Sequence, residues 1–310
     1  MRGYDPDDDD VEVEVAGDGG GRRLDEEGAD ADVEAALSLL DSVTADLPGA
    51  ETRDGQRAMT AAVARAWSLR RPVAVEAGTG IGKSLAYLVP SALAGSRVVV
   101  ATATKNLQDQ LASKDAPLVA AHSPGTRVAV LKGRQNYLCR LRAQGAGAGQ
   151  LELDDGVELP RSVSSQMRRV LTWADTTDSG DRDELAFEVD ERVWRQVSVT
   201  PQECLGRVHC PQGASCFTEL ARDRAAESSI VIVNTHLYAA HLASGSNLLP
   251  AHDFVVFDEA HEALNIFATM LGTTLTPNRA RGIAASARPL LTRRDLADDL
   301  AAAAERLAAA

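Results

Sequence analysis

The chain has 310 residues, of which 45% are apolar and 25% charged, and a net charge of -13. That length suits one large domain or two modest ones around a full apolar core. No run of eighteen apolar residues occurs, and the opening MRGYDPDDDD has neither a basic nor an apolar leader region, so no membrane span and no secretory signal are expected and the cytoplasm is the expected compartment.

The charge is uneven. Residues 1–33 hold 13 acidic side chains and 3 arginines, -10 of the total. The remainder is close to neutral, so global acidity does not exclude a polyanionic partner. The runs DPDDDD and GDGGGRR bury too little apolar surface to offset ordering, and residues 1–33 are expected to be a disordered acidic arm.

In chain order, EAALSLLDSVTAD (34–46) has helical spacing and LPGAETRDG breaks it. GQRAMTAAVARAWSL is a second helix, RPVAVE a strand, and SLAYLVPSALA a helix after a glycine-rich turn. SRVVVATAT, NLQDQLASK and TRVAVLKG continue as strand, helix, strand. Short apolar strands alternating with helices predict an α/β fold, a parallel sheet with helices on both faces. The rhythm fails over residues 134–227, a Gly-, Arg- and Asp-rich stretch that contains all four cysteines, and returns in SSIVIVNTH and DFVVFDEAH. The sheet domain is therefore expected in two parts, 34–133 and 228–268, around an insertion at 134–227. Residues 269–310 are Ala-rich and helical with no closing strand, and read as the start of a further helical domain, as though the chain were an N-terminal portion.

The segment AGTGIGKS runs Ala77, Gly78, Thr79, Gly80, Ile81, Gly82, Lys83, Ser84 and matches phosphate-loop spacing, with Ala in place of the first Gly. Its glycines let backbone N–H groups turn onto a phosphate, the following helix adds its positive end, Lys83 reaches the terminal phosphates and Ser84 suits Mg²⁺. Downstream, FVVF leads into Asp258, Glu259, Ala260 and His261. An Asp at a strand end holds the metal and the adjacent Glu orients and deprotonates water, the division of labour in phosphoryl transfer. ATP and Mg²⁺ are the expected cofactors, at the edge of a sheet that both motifs share.

These pieces resemble the superfamily 2 helicases of the DinG and XPD type: RDGQ (53–56), EAGTGIGKS (76–84), TATKNLQDQL (102–111), LKGRQNYLC (131–139), IVIVNTHL (230–237) and VVFDEAH (255–261), in family order. The resemblance implies a RecA-like domain interrupted by an iron-sulfur insertion, with a partial arch-like segment after it. It implies that Gln56 contacts adenine, that Thr102, Thr104 and Gln108 lie along single-stranded DNA, and that His261 couples nucleotide state to the DNA side. Thr235 departs from it, since relatives place a second His there.

Cys139, Cys204, Cys210 and Cys216 leave no odd thiol, and in a cytosolic chain they point to a metal site rather than disulfides. One distant cysteine and three at wide spacing suit a [4Fe-4S] cube better than a zinc ribbon, and the resemblance implies the same. Arg134, Arg140 and Arg142 flank Cys139, and Arg134 is a candidate phosphate grip as well as a candidate solvated arginine. Trp67, Trp173 and Trp194 are too scattered for a stacking platform and are expected in the core. The expected function is an ATP-dependent 5′-3′ DNA helicase acting on single-stranded or forked DNA, monomeric and membrane-free, in repair or replication. The alternative is a nucleotide-switched DNA- or protein-binding module without motor activity.

Overall fold

The computed structural model describes residues 11–15, 26–49, 51–147, 161–272, 276–293 and 295–309. They form two compact units, which meet in sequence after Ala263. Among the described residues six strands carry the first unit: β1 (Val11–Val15), β2 (Val73–Ala77), β3 (Val98–Thr102), β4 (Val128–Val130), β5 (Ile230–Asn234) and β6 (Phe254–Phe257).

Four of them make a parallel sheet in the order β4-β5-β3-β6. Every residue of β3 is buried, as are Ile230 to Val233 of β5. The VVVAT and IVIV runs therefore carry no polar alternation, as expected for strands covered on both faces. The register aligns Ala101 of β3 with Phe257 of β6 and Thr102 with Asn234 of β5, so the strands end together and the turns that follow β3, β5 and β6 gather at one edge.

Two expectations are corrected here. The phosphate-loop strand β2 does not hydrogen-bond into the parallel sheet; it pairs antiparallel with β1, Val11 opposite Ala77 and Val15 opposite Val73. Among the described residues, β6 has no strand partner on its outer side. What β2 and β6 share is the core beneath them: Val75, Ala77, Phe254 and Val256 all pack against one buried cluster that includes Leu88, Val98, Val100 and Ile232.

The acidic arm is also not disordered throughout. Its VEVEV alternation makes β1, and a helix begins at Glu26 and runs to Ala45, eight residues earlier than its apolar spacing suggested. The physical reason is pairing with the Asp54–Ser68 helix. Ala29, Ala36, Leu40 and Val43 are buried, while Asp32 accepts from Ser68 at 2.6 Å and Asp30 and Asp41 pair with Arg65 and Arg57. The remaining residues of the arm, 1–10 and 16–25, lie outside the described residues.

Residues 134–147 and 161–227 are short helices and turns, bridged to each other at Tyr137 and Asp181 beside their junction with the sheet domain. Lys132, 6% exposed, anchors that junction with Asp181 at 2.7 Å and Asp183 at 2.9 Å. Burial alone would lower the Lys132 pKa, but the two carboxylates outweigh it and hold it at about 12. Trp194 is buried and donates to the Gln135 carbonyl at 2.7 Å, the core role expected of it.

The second unit, Leu264–Ala310, is helical. Its Pro277–Ala287 and Asp295–Ala309 helices bury Ala280, Ala284, Ala297 and Ala304 and are clasped by Arg281–Glu305 at 2.8 Å and Arg288–Asp298 at 3.0 Å. Among the described residues no helix is long and apolar enough to cross a membrane.

Candidate nucleotide-binding site

The phosphate loop spans the gap between the end of β2 at Ala77 and the start of the Lys83–Leu93 helix. Gly80 has φ 90° and Gly82 φ 88°, in the left-handed region where a side chain is strained. Two side chains of the helix beginning at Asp54, or just before it, hold the loop's carbonyls. Arg53 donates to Gly80 O, and Gln56, nearly fully buried, donates from Nε2 to Gly82 O at 3.0 Å. Each peptide is planar, so fixing a carbonyl also fixes the direction of the N–H on the opposite edge of the same plane. Gln56 thus reaches the loop directly.

Across from the loop stands the DEAH turn. Asp258 continues β6, its N–H donating to Ala101 O at 2.9 Å. Lys83 Nζ lies 3.8 Å from Glu259 Oε1 and donates to Ala77 O at 3.2 Å. Asp258 is held at both oxygens: Tyr87 Oη donates to Oδ2 at 3.1 Å and the Glu259 N–H donates to Oδ1 at 3.1 Å. Glu259 has φ 54°, an unusual conformation for a residue with a side chain, at a cost of order 1–3 kcal/mol that tends to be retained at functional sites. His261 is exposed, its ring 3.5 Å from Glu259 and 3.6 Å from Glu262.

Burial, and secondarily the Glu259 charge, push the Asp258 carboxyl above the usual carboxylate range, against the Tyr87 hydrogen bond and the Lys83 charge. Burial and the Asp258 charge also push the Tyr87 phenol well up, so at neutral pH it remains an O–H donor. Asp115 is a further carboxyl in this neighbourhood. Burial raises its pKa, and hydrogen bonds from Ser84 and Gln110 lower it. It ends a π-helical turn, Leu111–Asp115, that interrupts the helix after β3, and such turns recur at functional sites.

The loop and the DEAH turn therefore meet as expected, although by side chains rather than through one hydrogen-bonded sheet. Tyr87 and Asp115 were not foreseen. Tyr87 had a signal: it lies four residues after Lys83 and hence on the same helical face. Asp115 had none, because the π-turn shifts it off the face that ordinary helical spacing assigns.

Of the residues matched to a DNA path, Thr102 is buried and donates to the Thr104 carbonyl at 3.2 Å, and Gln108 is buried with its amide 3.5 Å from Ile232 O. Thr104 is exposed and caps the Lys105–Gln110 helix, accepting from Leu107 N at 3.3 Å. Arg134 is not a free surface cation: it pairs with buried Glu219 at 2.6 Å. His241 accepts on Nδ1 from Leu248 and Leu249 N–H groups at 3.2 and 3.0 Å, an ordinary structural role.

Cys139, Cys204, Cys210 and Cys216 line one small cavity with Arg134, Arg140 and Arg207. Burial, with Cys216 and Cys210 nearby, pushes the Cys139 thiol up, and the Cys204 sulfur accepts from Gly206 N–H at 3.3 Å. Among the described residues no three His, Cys, Asp or Glu groups stand close enough to hold a single ion. The four sulfurs thus face one space without closing on one point.

A glycine-rich phosphate loop facing an Asp-Glu pair, over a parallel α/β core, defines a P-loop nucleotide-binding domain. No family model matches the chain. It is 40% identical over 245 residues to "ATP-dependent helicase DinG" of Mycobacterium tuberculosis, an alignment covering 74% of this chain and 37% of that protein. It is 37% identical over 246 residues to "ATP-dependent DNA helicase YoaA" of Escherichia coli, covering 77% of this chain and 37% of that protein. To "ATP-dependent DNA helicase DinG" of Salmonella choleraesuis it is 33% identical over 233 residues, 69% of this chain and 32% of that protein. The chain is thus similar to DinG-type helicases over 69–77% of its own length and spans 32–37% of theirs.

Proposed function

We propose that this chain is the nucleotide-binding part of an ATP-dependent DNA helicase that moves 5′-3′ on single-stranded DNA, in repair or replication. The observation that carries the reading is the meeting of Lys83 and Glu259 at 3.8 Å beside Asp258, on two segments far apart in sequence. Lys83 and the loop's N–H groups bind the terminal phosphates, Ser84 and Asp258 hold Mg²⁺, and Glu259 orients and deprotonates the attacking water. Mg²⁺ supplies neutralisation of charge on the phosphates. The Lys83–Glu259 pair is long and both partners are about a third exposed, so it is weak and readily exchanged for a phosphate. His261, two residues on and within reach of Glu259, is placed to relay the base's position to the DNA side. Gln56 contacts the adenine end while supporting the loop. Thr102 and Gln108, being buried, shape the edge on which Thr104 meets DNA, and Arg134 supports the cysteine cavity from its pair with Glu219.

The four cysteines fit a [4Fe-4S] cluster. They share a cavity flanked by three arginines, and four thiolates are the ligand set that such a cluster takes. The cluster's part is to stiffen the 134–227 insertion. Cys204→Ser is expected to lose the broad visible absorbance, iron and sulfide of anaerobically purified protein, and a colourless, iron-free, folded wild type would overturn the assignment.

The test of the site is a pair of substitutions in the full-length protein. Glu259→Gln should keep ATP binding and lose about 10²–10⁴ in kcat, the usual worth of a positioned general base. Lys83→Ala should lose ATP binding, ATPase and unwinding together. Hydrolysis at the wild-type rate in Glu259→Gln refutes the site; DNA affinity and biological function that survive Lys83→Ala favour the non-motor binding module.

A further inference from the structure

We propose that Tyr87 is a positioning residue for Asp258, and that its hydroxyl sets how strongly nucleotide binding depends on Mg²⁺. The inference rests on the nucleotide site read above. Tyr87 is 2% exposed and sits in the apolar cluster with Val98, Val100 and Ile232. A phenylalanine would fill that space without the cost of burying a hydroxyl. The hydroxyl is bonded instead to Asp258 Oδ2 at 3.1 Å, across 171 residues of sequence.

The consequence is geometric. With Oδ2 held by Tyr87 and Oδ1 by the Glu259 N–H, the Asp258 carboxylate has one orientation about its terminal bond. Each oxygen keeps a lone pair, and a carboxylate with a fixed orientation loses little freedom when it takes up a cation and its water shell. Tyr87 also stands one turn after Lys83 and three residues after Ser84, so the metal's two protein partners are tied to one helix: Ser84 directly and Asp258 through Tyr87. The same helix that presents its N-terminus to the phosphates thereby sets the carboxylate on the opposite strand. Nothing in the resemblance assigns this residue a part.

Tyr87→Phe removes the hydroxyl and leaves the ring. The probe is a fluorescent ADP, titrated with and without Mg²⁺ on the full protein. Because hydrogen bonds to charged groups are strong, the Mg²⁺ concentration that half-maximally tightens ADP should rise about tenfold or more, with metal-free ADP affinity unchanged within about twofold. In an Asp258→Asn background the same substitution should add nothing. Unchanged Mg²⁺ dependence, or an equal effect in the Asp258→Asn background, overturns the proposal and leaves Tyr87 a core residue. If Lys83→Ala binds ADP as well as wild type, the nucleotide site itself is wrong, a failure distinct from that of Tyr87.

Should Tyr87→Phe not fold, wild-type protein labelled with fluorotyrosine answers the question, since the chain has only 4 tyrosines. The Tyr87 resonance, assigned by elimination with Tyr4→Phe, Tyr137→Phe and Tyr238→Phe, should shift on Mg-ADP and not on ADP alone. An identical response to both sinks the idea.

Discussion

Gly82→Ala tests whether the loop conformation is set by the contact with Gln56. Gly82 has φ 88°, and a Cβ there would lie 2.2 Å from Gln56 Nε2. Holding a non-glycine residue in the left-handed region costs about 1–2 kcal/mol. The atom met is the tip of a flexible side chain, so Gln56 can swing away, but it then gives up its 3.0 Å bond to Gly82 O, worth about 1 kcal/mol. Gly82→Ala should therefore cost about 2–3 kcal/mol, and Gln56→Ala about 1 kcal/mol by loss of the same bond. Since that bond can be lost only once, Gln56→Ala/Gly82→Ala should cost about 2–3 kcal/mol, leaving a coupling of about 1 kcal/mol. Urea denaturation followed by tryptophan fluorescence measures all four corners, with ADP affinity as a second readout. Additivity within about 0.3 kcal/mol would show that the two residues act independently and refute the reasoning.

Lys132→Ala should destabilise the protein by about 3 kcal/mol at neutral pH, because it strands the Asp181 and Asp183 carboxylates that the lysine neutralises; a melting temperature equal to wild type's would contradict this. The folded pKa of about 12 is above the ordinary lysine value of 10.5, so the lysine's contribution is fully present below 10.5 and fades as pH rises through about 12; the gap between Lys132→Ala and wild type should close only there in alkaline denaturation. For His241, burial and then His252 lower the pKa from 6.5, and Nδ1 accepts two backbone N–H groups that protonation would displace. The unfolded chain thus binds the proton first, and wild type should lose stability as pH falls through 6.5 toward the folded value, while His241→Asn, which keeps an acceptor, flattens that slope; parallel pH profiles would count against it.

The sheet was legible because its strands are continuous apolar runs. VVVAT and IVIV admit little but burial on both faces, and the structure buries them so. The phosphate loop and the DEAH turn were legible for a different reason: their residue types answer to triphosphate chemistry whatever surrounds them. What escaped was set by long-range partners. The helix from Glu26 reads as an acidic, soluble stretch until Arg57, Arg65 and Ser68 are seen to take up Asp41, Asp30 and Asp32. Arg134 looked available for phosphate because Glu219, its partner, lies 85 residues on. Thr102 and Gln108 illustrate a further limit, since a motif gives the identity of a residue but not which way its side chain turns.

The detachment of β2 from the parallel sheet bears on how the site is held together. Had β2 and β6 been neighbours in one ladder, several backbone hydrogen bonds would fix Lys83 relative to Asp258. Instead the link is a 3.8 Å partly exposed ion pair, worth little, one hydrogen bond from Tyr87 to Asp258, and packing, including the stacking of Trp67 on Phe254 at 5.2 Å between centroids. An aromatic pair of this kind contributes about 0.5–1.5 kcal/mol beyond its buried area, so packing, rather than the charges, carries most of the connection. Of the polar contacts across the gap, the Lys83–Glu259 pair is the one that a nucleotide would replace, while the Tyr87–Asp258 bond stays to orient the carboxylate. A site arranged in this way can exchange an ion pair for ligand without disturbing the apolar floor that holds the two segments in register.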